Sequence, residues 1–256
     1  MNKRNILLTG SSGNLGKYLF DHLAINHAVM GIDKNPSDEQ LFSGNTVKVD
    51  LTDFEAIGNF FLQNENKKFN VLINCAGHIQ NMLMFNMFAE DKKHSYEVWK
   101  QVLDSNLNTT FVCANQFIED LIQRREPGVI INISSISAKG TKGQSAYSAA
   151  KAGVEVLTKV WAEELAPFGI RSVCIAPGYI DVPSTHQHMD DKSIGSITKN
   201  TSVGRLGHID EFISAVEFVL ENQFFNGKIL FIVDISCFTI SFIIIMNPIH
   251  YSHISV

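Results

Sequence analysis

Short apolar runs recur along the chain, separated by longer stretches in which apolar residues return at every third or fourth position. The runs at 5–9, 28–32, 70–73, 128–133, 170–176 and 228–233 are mostly apolar, that at 46–51 alternates, and the residues that follow them are Gly10, Asp33, Asn74, Ser134, Pro177, Asp234 and Thr52. Such runs predict strands covered on both faces, as in a parallel sheet. The stretches between them carry a helical period. Leu15, Leu19 and Leu23 share one side of a first helix, and 96–123 reads as one long helix. Val156, Leu157, Val160, Trp161 and Leu165 form an apolar stripe on a later one, with Glu155–Lys159 and Lys159–Glu163 as exposed ionic neighbours. Thr52-Asp53-Phe54-Glu55 has the spacing of a capping box, so Thr52 and Glu55 are expected to serve structure alone. Strands alternating with helices predict an α/β fold: a doubly wound parallel sheet of about seven strands, ordered 3-2-1-4-5-6-7, with helices on both faces.

Composition narrows the ligand. The 256 residues are 45% hydrophobic, enough for one well-buried core, and the alternation runs without a linker-like gap. One domain over 1–234 is expected. A net charge of −5 offers no surface for nucleic acid or an anionic membrane, which leaves a small-molecule substrate. Cys75, Cys113, Cys174 and Cys237 are scattered without a Cys-x-x-Cys pair, so free thiols in a reducing compartment are expected, with neither zinc nor disulfides. His186-x-His188 has no third ligand in register, and no metal site is expected. Met1 to Arg4 leads straight into a strand rather than a signal-peptide core, which places the chain in the cytoplasm.

The end of the chain breaks the pattern. No Lys, Arg, Asp or Glu follows Asp234, and the apolar core at 235–246 is shorter than the ~20 residues that a transmembrane helix needs. The tail at 235–256 reads as a frameshifted or otherwise altered end. A strand at 238–246 would be an aggregation or dimerisation element.

The candidate chemistry centres on Tyr147-Ser148-Ala149-Ala150-Lys151. Residues four apart on a helix project from one face, so the phenol and the ammonium meet. An adjacent ammonium stabilises a phenolate and brings a pKa of ~10 toward neutrality, which suits Tyr147 to donate and accept a proton. Upstream, Ser134-Ser135 ends an apolar run, and Gly10-Ser11-Ser12-Gly13-Asn14-Leu15-Gly16 lies between the first strand and the first helix. A turn of that kind lets backbone N–H groups and a helix N-terminus approach a pyrophosphate.

Glycine turn, hydroxyl, phenol and ammonium, in this chain order, resemble the short-chain dehydrogenase/reductase family over about residues 5–234. The resemblance implies a Rossmann fold and reversible hydride transfer between a nicotinamide cofactor and a secondary alcohol or carbonyl. Tyr147, Lys151, Ser135 and Asn106 take the catalytic positions. Ser134 competes with Ser135 when the count runs back from Tyr147, and Ser135 is chosen because it stands at the strand end. Asn106 follows from Trp99-x-x-Val102-Leu103-Asp104-Ser105-Asn106, where a local helix distortion in the family holds a water linking the lysine to solvent. The implied cofactor contacts are Gly10, Ser12, Gly13, Asn14, Leu15, Gly16, Asp33, Asp50, Leu51, Asn74, Ala76, Gly77, Pro177, Gly178 and Ile180, together with Tyr147 and Lys151. Asp33 at the second strand's end favours NAD over NADP, because its charge repels a 2′-phosphate, although Lys34 beside it opposes this.

Three positions depart from the family's pattern: Asn14 replaces a glycine, Cys75 an asparagine and Val182 a threonine. Asparagine tolerates the left-handed conformation, so the turn is still expected to form. The spacing of Gly10, Gly13 and Gly16 also resembles the extended branch, which keeps a sugar-nucleotide epimerase or dehydratase as an alternative, beside a non-catalytic NAD-binding protein. Ala149, Ala150, Ala152 and Gly153 make the tyrosine helix slim, consistent with the homodimers or homotetramers of the family. Met82, Met84, Phe85, Met87 and Phe88 read either as packing under a loop or as the lining of an apolar substrate pocket.

Overall fold

A computed structural model describes residues 3–42 and 44–234. Its sheet has seven parallel strands in the order β3-β2-β1-β4-β5-β6-β7, as the alternation predicts. The strands are β1 (Asn5–Thr9), β2 (Ala28–Asp33), β3 (Thr46–Lys48), β4 (Val71–Asn74), β5 (Gly128–Ile133), β6 (Ile170–Pro177) and β7 (Ile229–Ile232). The helices are α1 (Asn14–Leu23), α2 (Asp38–Phe42), α3 (Phe54–Gln63), α4 (Tyr96–Leu103), α5 (Thr109–Arg124), α6 (Ser145–Glu164), α7 (Pro183–His188), α8 (Asp191–Asn200) and α9 (Ile209–Glu221). Successive strand residues face opposite sides, so Ile6 and Leu8 pack with α1 and α9 while Leu7 packs with α3, α5 and the end of α6. Each such buried aliphatic side chain contributes about 2 kcal/mol. Because β1 pairs with both β2 and β4, the strand order reverses there and leaves a crevice at the carboxyl ends of the strands.

Several local expectations are corrected. β3 ends at Lys48 rather than residue 51, because Asp50 accepts hydrogen bonds from the Thr52 N–H and hydroxyl and turns the chain out of the ladder. The cap of α3 is Asp53, whose carboxylate accepts from the Glu55 and Ala56 N–H groups; Thr52 is spent on Asp50. The long helix 96–123 is not continuous: a π-helical turn at Asp104–Asn108 is the local distortion that the resemblance implies at Asn106. On α6 the inward face is Ala146, Ala150, Lys151, Val154, Glu155, Thr158, Trp161 and Ala162, whereas Val156 and Val160 are exposed. Two residues along a helix turn the side chain by about 200°, so a face defined by Val154 excludes Val156. Glu155 therefore points inward and pairs with Lys139 instead of Lys159.

Residues 78–95 form an excursion between β4 and α4. Its two arms pair through Asn86 N–H to Lys92 O (2.7 Å) and His94 N–H to Met84 O (3.0 Å), and its base is held by Met82 N–H to Gly143 O (2.7 Å). Packing under a loop is not found for four of the five residues: Met84, Phe85 and Met87 are exposed and Phe88 is 95% exposed, while Met82 is half-buried and its sulfur accepts from the Ser95 N–H. The proposed strand at 238–246, and with it the tail, lies outside the described residues.

Candidate active site

The glycine turn leaves β1 at the reversal point. Gly10 adopts the left-handed conformation, and a Cβ there would meet the Ala76 backbone at 2.7 Å. A Cβ at Gly16 would lie 1.9 Å from the Gly10 carbonyl, so these two glycines set the closeness of turn, helix and β4 end. Asn14 does not take the left-handed role expected of it. It is the first residue of α1, and the left-handed step falls on Gly10. Gly13 precedes α1 without a side chain to cap it, Leu15 is partly buried against the core, and the Ser12 N–H donates to Asp33 Oδ2 at 2.9 Å. Asp33 also accepts from the Asn35 N–H at 2.8 Å, so its carboxylate is fixed at the end of β2.

Asp50 is half-exposed, 3.5 Å from the Lys34 ammonium, and Leu51 is buried in the core. At the end of β4, Asn74 is buried and donates to Asn132 Oδ1 at 2.9 Å, while Thr9 Oγ1 accepts from the Cys75 and Ala76 N–H groups, both at 3.1 Å. Pro177 ends β6, the Gly178 N–H donates to Ile232 O on β7 at 2.9 Å, and Ile180 is buried beside Gly207. Val182, the residue before α7, is likewise buried and joins the core.

The reactive groups converge at one place. A Cβ at Gly77 would stand 2.4 Å from Asn106 Oδ1 and 3.3 Å from Lys151 Nζ. Asn106 sits inside the π-helical turn, fully buried, and its amide nitrogen donates to His78 O (2.7 Å) and Val102 O (2.9 Å). Its Oδ1 has no hydrogen-bond partner. Lys151 is 4% exposed, donates to Ile133 O at 2.8 Å, and lies 5.7 Å from the centre of the Tyr147 ring. Ser135 caps the turn after β5 by accepting the Ser137 N–H, and its hydroxyl lies close enough to Tyr147 to draw the phenol's pKa down. Ser134 is different. Its hydroxyl turns away toward Lys151 O and Glu155.

The electrostatics reverse one expectation. Burial pushes the Tyr147 phenol up to about 12, against the opposing pull of the Ser135 hydroxyl. Lys151 does not bring it down, because the amine is committed to Ile133 O and burial has lowered its own pKa to about 8. Burial likewise pushes the neighbouring Cys75 thiol up to about 12, so it stands there as a neutral group. Cys75, Cys113 and Cys174 are free thiols, and no cluster of metal-ligating side chains occurs among the described residues. His186 pairs with Asp181 at 2.7 Å. No helix among the described residues is long and apolar enough to cross a membrane.

Two polar residues beside the site are not announced by the sequence as site residues. Gln40 on α2 accepts from the Ser12 hydroxyl at 2.7 Å and so ties α2 to the glycine turn; no spacing rule points to it. Glu155 follows Lys151 by four residues, as Lys151 follows Tyr147, and that repeat already puts all three on one face.

A doubly wound sheet with a glycine turn at its reversal point and a tyrosine-lysine face beside a strand-end serine defines a nucleotide-dependent oxidoreductase. Residues 4–193 match the short chain dehydrogenase family, and the chain belongs to it. Its relatives include the 3-oxoacyl-(acyl-carrier-protein) reductases FabG of Chlamydia muridarum (31% identical, covering 90% of this chain and 95% of the relative) and of Buchnera aphidicola (30%, 89% and 95%). Among solved structures, 4-hydroxyisoleucine dehydrogenase complexed with NADH superposes with a TM-score of 0.80 at 25% identity, covering 91% of this chain and 98% of that one. The protein is accordingly an NAD(P)-dependent oxidoreductase acting on CH–OH or C=O groups.

The residues present fit such a cofactor. The N-terminus of α1 has no side-chain cap, and the buried Asn106 Oδ1 lacks a hydrogen-bond partner beside Lys151.

Proposed function

We propose that Tyr147 exchanges the proton with the reacting oxygen of a small secondary alcohol or carbonyl compound, and that Ser135 hydrogen-bonds that oxygen. The observation that carries this reading is the convergence of the Ser135 hydroxyl, the Tyr147 phenol and the buried Lys151 amine at the carboxyl ends of β4 and β5. Lys151 and Tyr147 would hold the nicotinamide ribose, and the turn from Gly10 through Gly16 would hold the pyrophosphate, with Asn74, Ala76, Gly77, Pro177, Gly178 and Ile180 flanking the nicotinamide. Asp50 and Leu51 would border the adenine. The bound cofactor supplies the hydride chemistry, and the protein supplies orientation and proton transfer. Asn106 supports a relay from Lys151, since its unpartnered Oδ1 is placed to accept a water between them.

NAD is the proposed cofactor in preference to NADP. Asp33 carries the reason: its carboxylate is held at the end of β2 by Ser12 and Asn35, where a 2′-phosphate would meet its charge. A cytoplasmic location accords with the free thiols of Cys75, Cys113 and Cys174 among the described residues. Assembly as a homodimer or homotetramer accords with Phe111, Val156 and Val160, apolar side chains left exposed on α5 and α6.

The test is Ser135→Ala assayed with a carbonyl panel that includes a 3-oxoacyl thioester. The kcat should fall roughly 10²- to 10³-fold while NADH binding, followed by fluorescence, stays as in the wild type. Wild-type turnover in that variant would remove Ser135 from the chemistry.

A further inference from the structure

Glu155 is a carboxylate with only 7% of its side chain exposed, on the inward face of α6 that also carries Ala150, Lys151, Val154 and Thr158. Burying a carboxylate costs several kcal/mol unless it is paired, so its partners show what it holds. One oxygen, Oε1, accepts from the Ser134 hydroxyl at 3.2 Å; the other, Oε2, accepts from Lys139 Nζ at 3.0 Å. The same Ser134 hydroxyl reaches Lys151 O at 3.2 Å. Lys139 ends the short helical turn Ile136–Lys139 that begins at Ser135, and its ammonium lies 5.2 Å from the centre of the Phe231 ring on β7.

These contacts grip the Ser135 turn from both ends. Ser134, before it, is fastened to α6; Lys139, after it, is fastened to α6 and set against β7. Within the turn, the Ala138 N–H donates to Ser135 O and the Gly140 N–H to Ser137 O, both at 3.0 Å, so displacement of Lys139 is transmitted to Ser135. Tyr147, Lys151 and Glu155 share one face of α6, and the helix that presents the phenol therefore also fixes the hydroxyl opposite it.

We infer that Glu155 and Lys139 are positioning residues, a latch anchored on the buried Glu155 carboxylate that holds the Ser135 turn against α6 and keeps its hydroxyl opposed to Tyr147. The inference rests on the roles proposed for Ser135 and Tyr147. It extends the working unit to two side chains that touch no reacting atom.

The test uses Glu155→Gln and Lys139→Met, each alone, together, and with Glu155→Gln placed in a Ser135→Ala background. Glu155→Gln should lower kcat roughly 10- to 100-fold with KM for NADH unchanged, because a small misplacement of an oriented group costs that much. Amide hydrogen exchange in the cofactor-free protein should accelerate at Ala138 and Gly140. In the Ser135→Ala background, Glu155→Gln should cause no further loss, since the latch acts only through that hydroxyl. The double variant, which leaves no unpaired buried charge, should melt closer to the wild type than Lys139→Met does and still turn over slowly. Wild-type kcat and exchange in Glu155→Gln, an undiminished loss in the Ser135→Ala background, or full turnover in the double variant would each overturn the latch. Retained turnover in Tyr147→Phe would instead break the underlying site assignment, leaving the exchange result to stand by itself.

Discussion

Lys151 and Ile133 are joined by a 2.8 Å hydrogen bond from the side-chain nitrogen to the main-chain carbonyl, at the last residue of the strand that delivers Ser135. The contact ties α6 to the end of β5 and places the amine in a dry environment. Its pKa falls to about 8 there, with burial as the dominant cause.

That depression has a consequence for stability. A group whose folded-state pKa lies below its unfolded value adds stability above the unfolded pKa and loses it as pH falls through the folded one. Between pH 8 and 10 the wild type should therefore gain about 1–3 kcal/mol relative to Lys151→Met in urea unfolding. The raised pKa of Tyr147 acts oppositely, removing stability as pH climbs from its unfolded value near ~10 toward about 12, so the comparison is made below that range. A flat difference from pH 8 to 10 would contradict a buried amine.

The glycines separate into two kinds. Gly16→Ala forces a Cβ against the Gly10 carbonyl, and it should cost about 1–3 kcal/mol and weaken NADH binding together. At Gly58, inside α3, an added Cβ would meet nothing within 4 Å, and Gly58→Ala should raise stability by about 0.5–1 kcal/mol with binding unchanged. Urea unfolding and fluorescence titration of both variants check the contrast.

Asp53, rather than Thr52, caps α3. Asp53→Ala should lose about 1 kcal/mol by thermal or urea unfolding, and Thr52→Ala distinctly less, since its hydroxyl serves only Asp50 in an exposed turn. Equal losses would return the cap to Thr52.

Asp33→Ser should raise kcat/KM for NADPH relative to NADH by roughly tenfold or more, because the charge facing a 2′-phosphate is removed. Some loss with NADH is also expected, as Ser12 forfeits its acceptor. An unchanged ratio would place the preference elsewhere.

The fold was legible because its signals are local. Every strand but β3 is a largely apolar run, and the helical spacing of Tyr147 and Lys151 sets their shared face without tertiary information. What escaped depends on partners. Val156 and Val160 satisfy an apolar period as well as Val154 does, and only the packed sheet decides which of them turns inward. Glu155 looks like a surface charge until Lys139 and Ser134 close over it. The environment of Tyr147 was equally hidden, since desolvation is a property of the assembled crevice and outweighs the pull of the Ser135 hydroxyl. Asn14 shows the converse: its departure from the family's glycine imposes no left-handed backbone on it, because that step falls on Gly10.

The central claim is that Tyr147 moves the proton, and Tyr147→Phe tests it most directly. With NADH binding confirmed by fluorescence titration, turnover of the best substrate from the carbonyl panel should fall roughly 10²- to 10⁴-fold. Turnover equal to the wild type, with binding intact, would contradict the account.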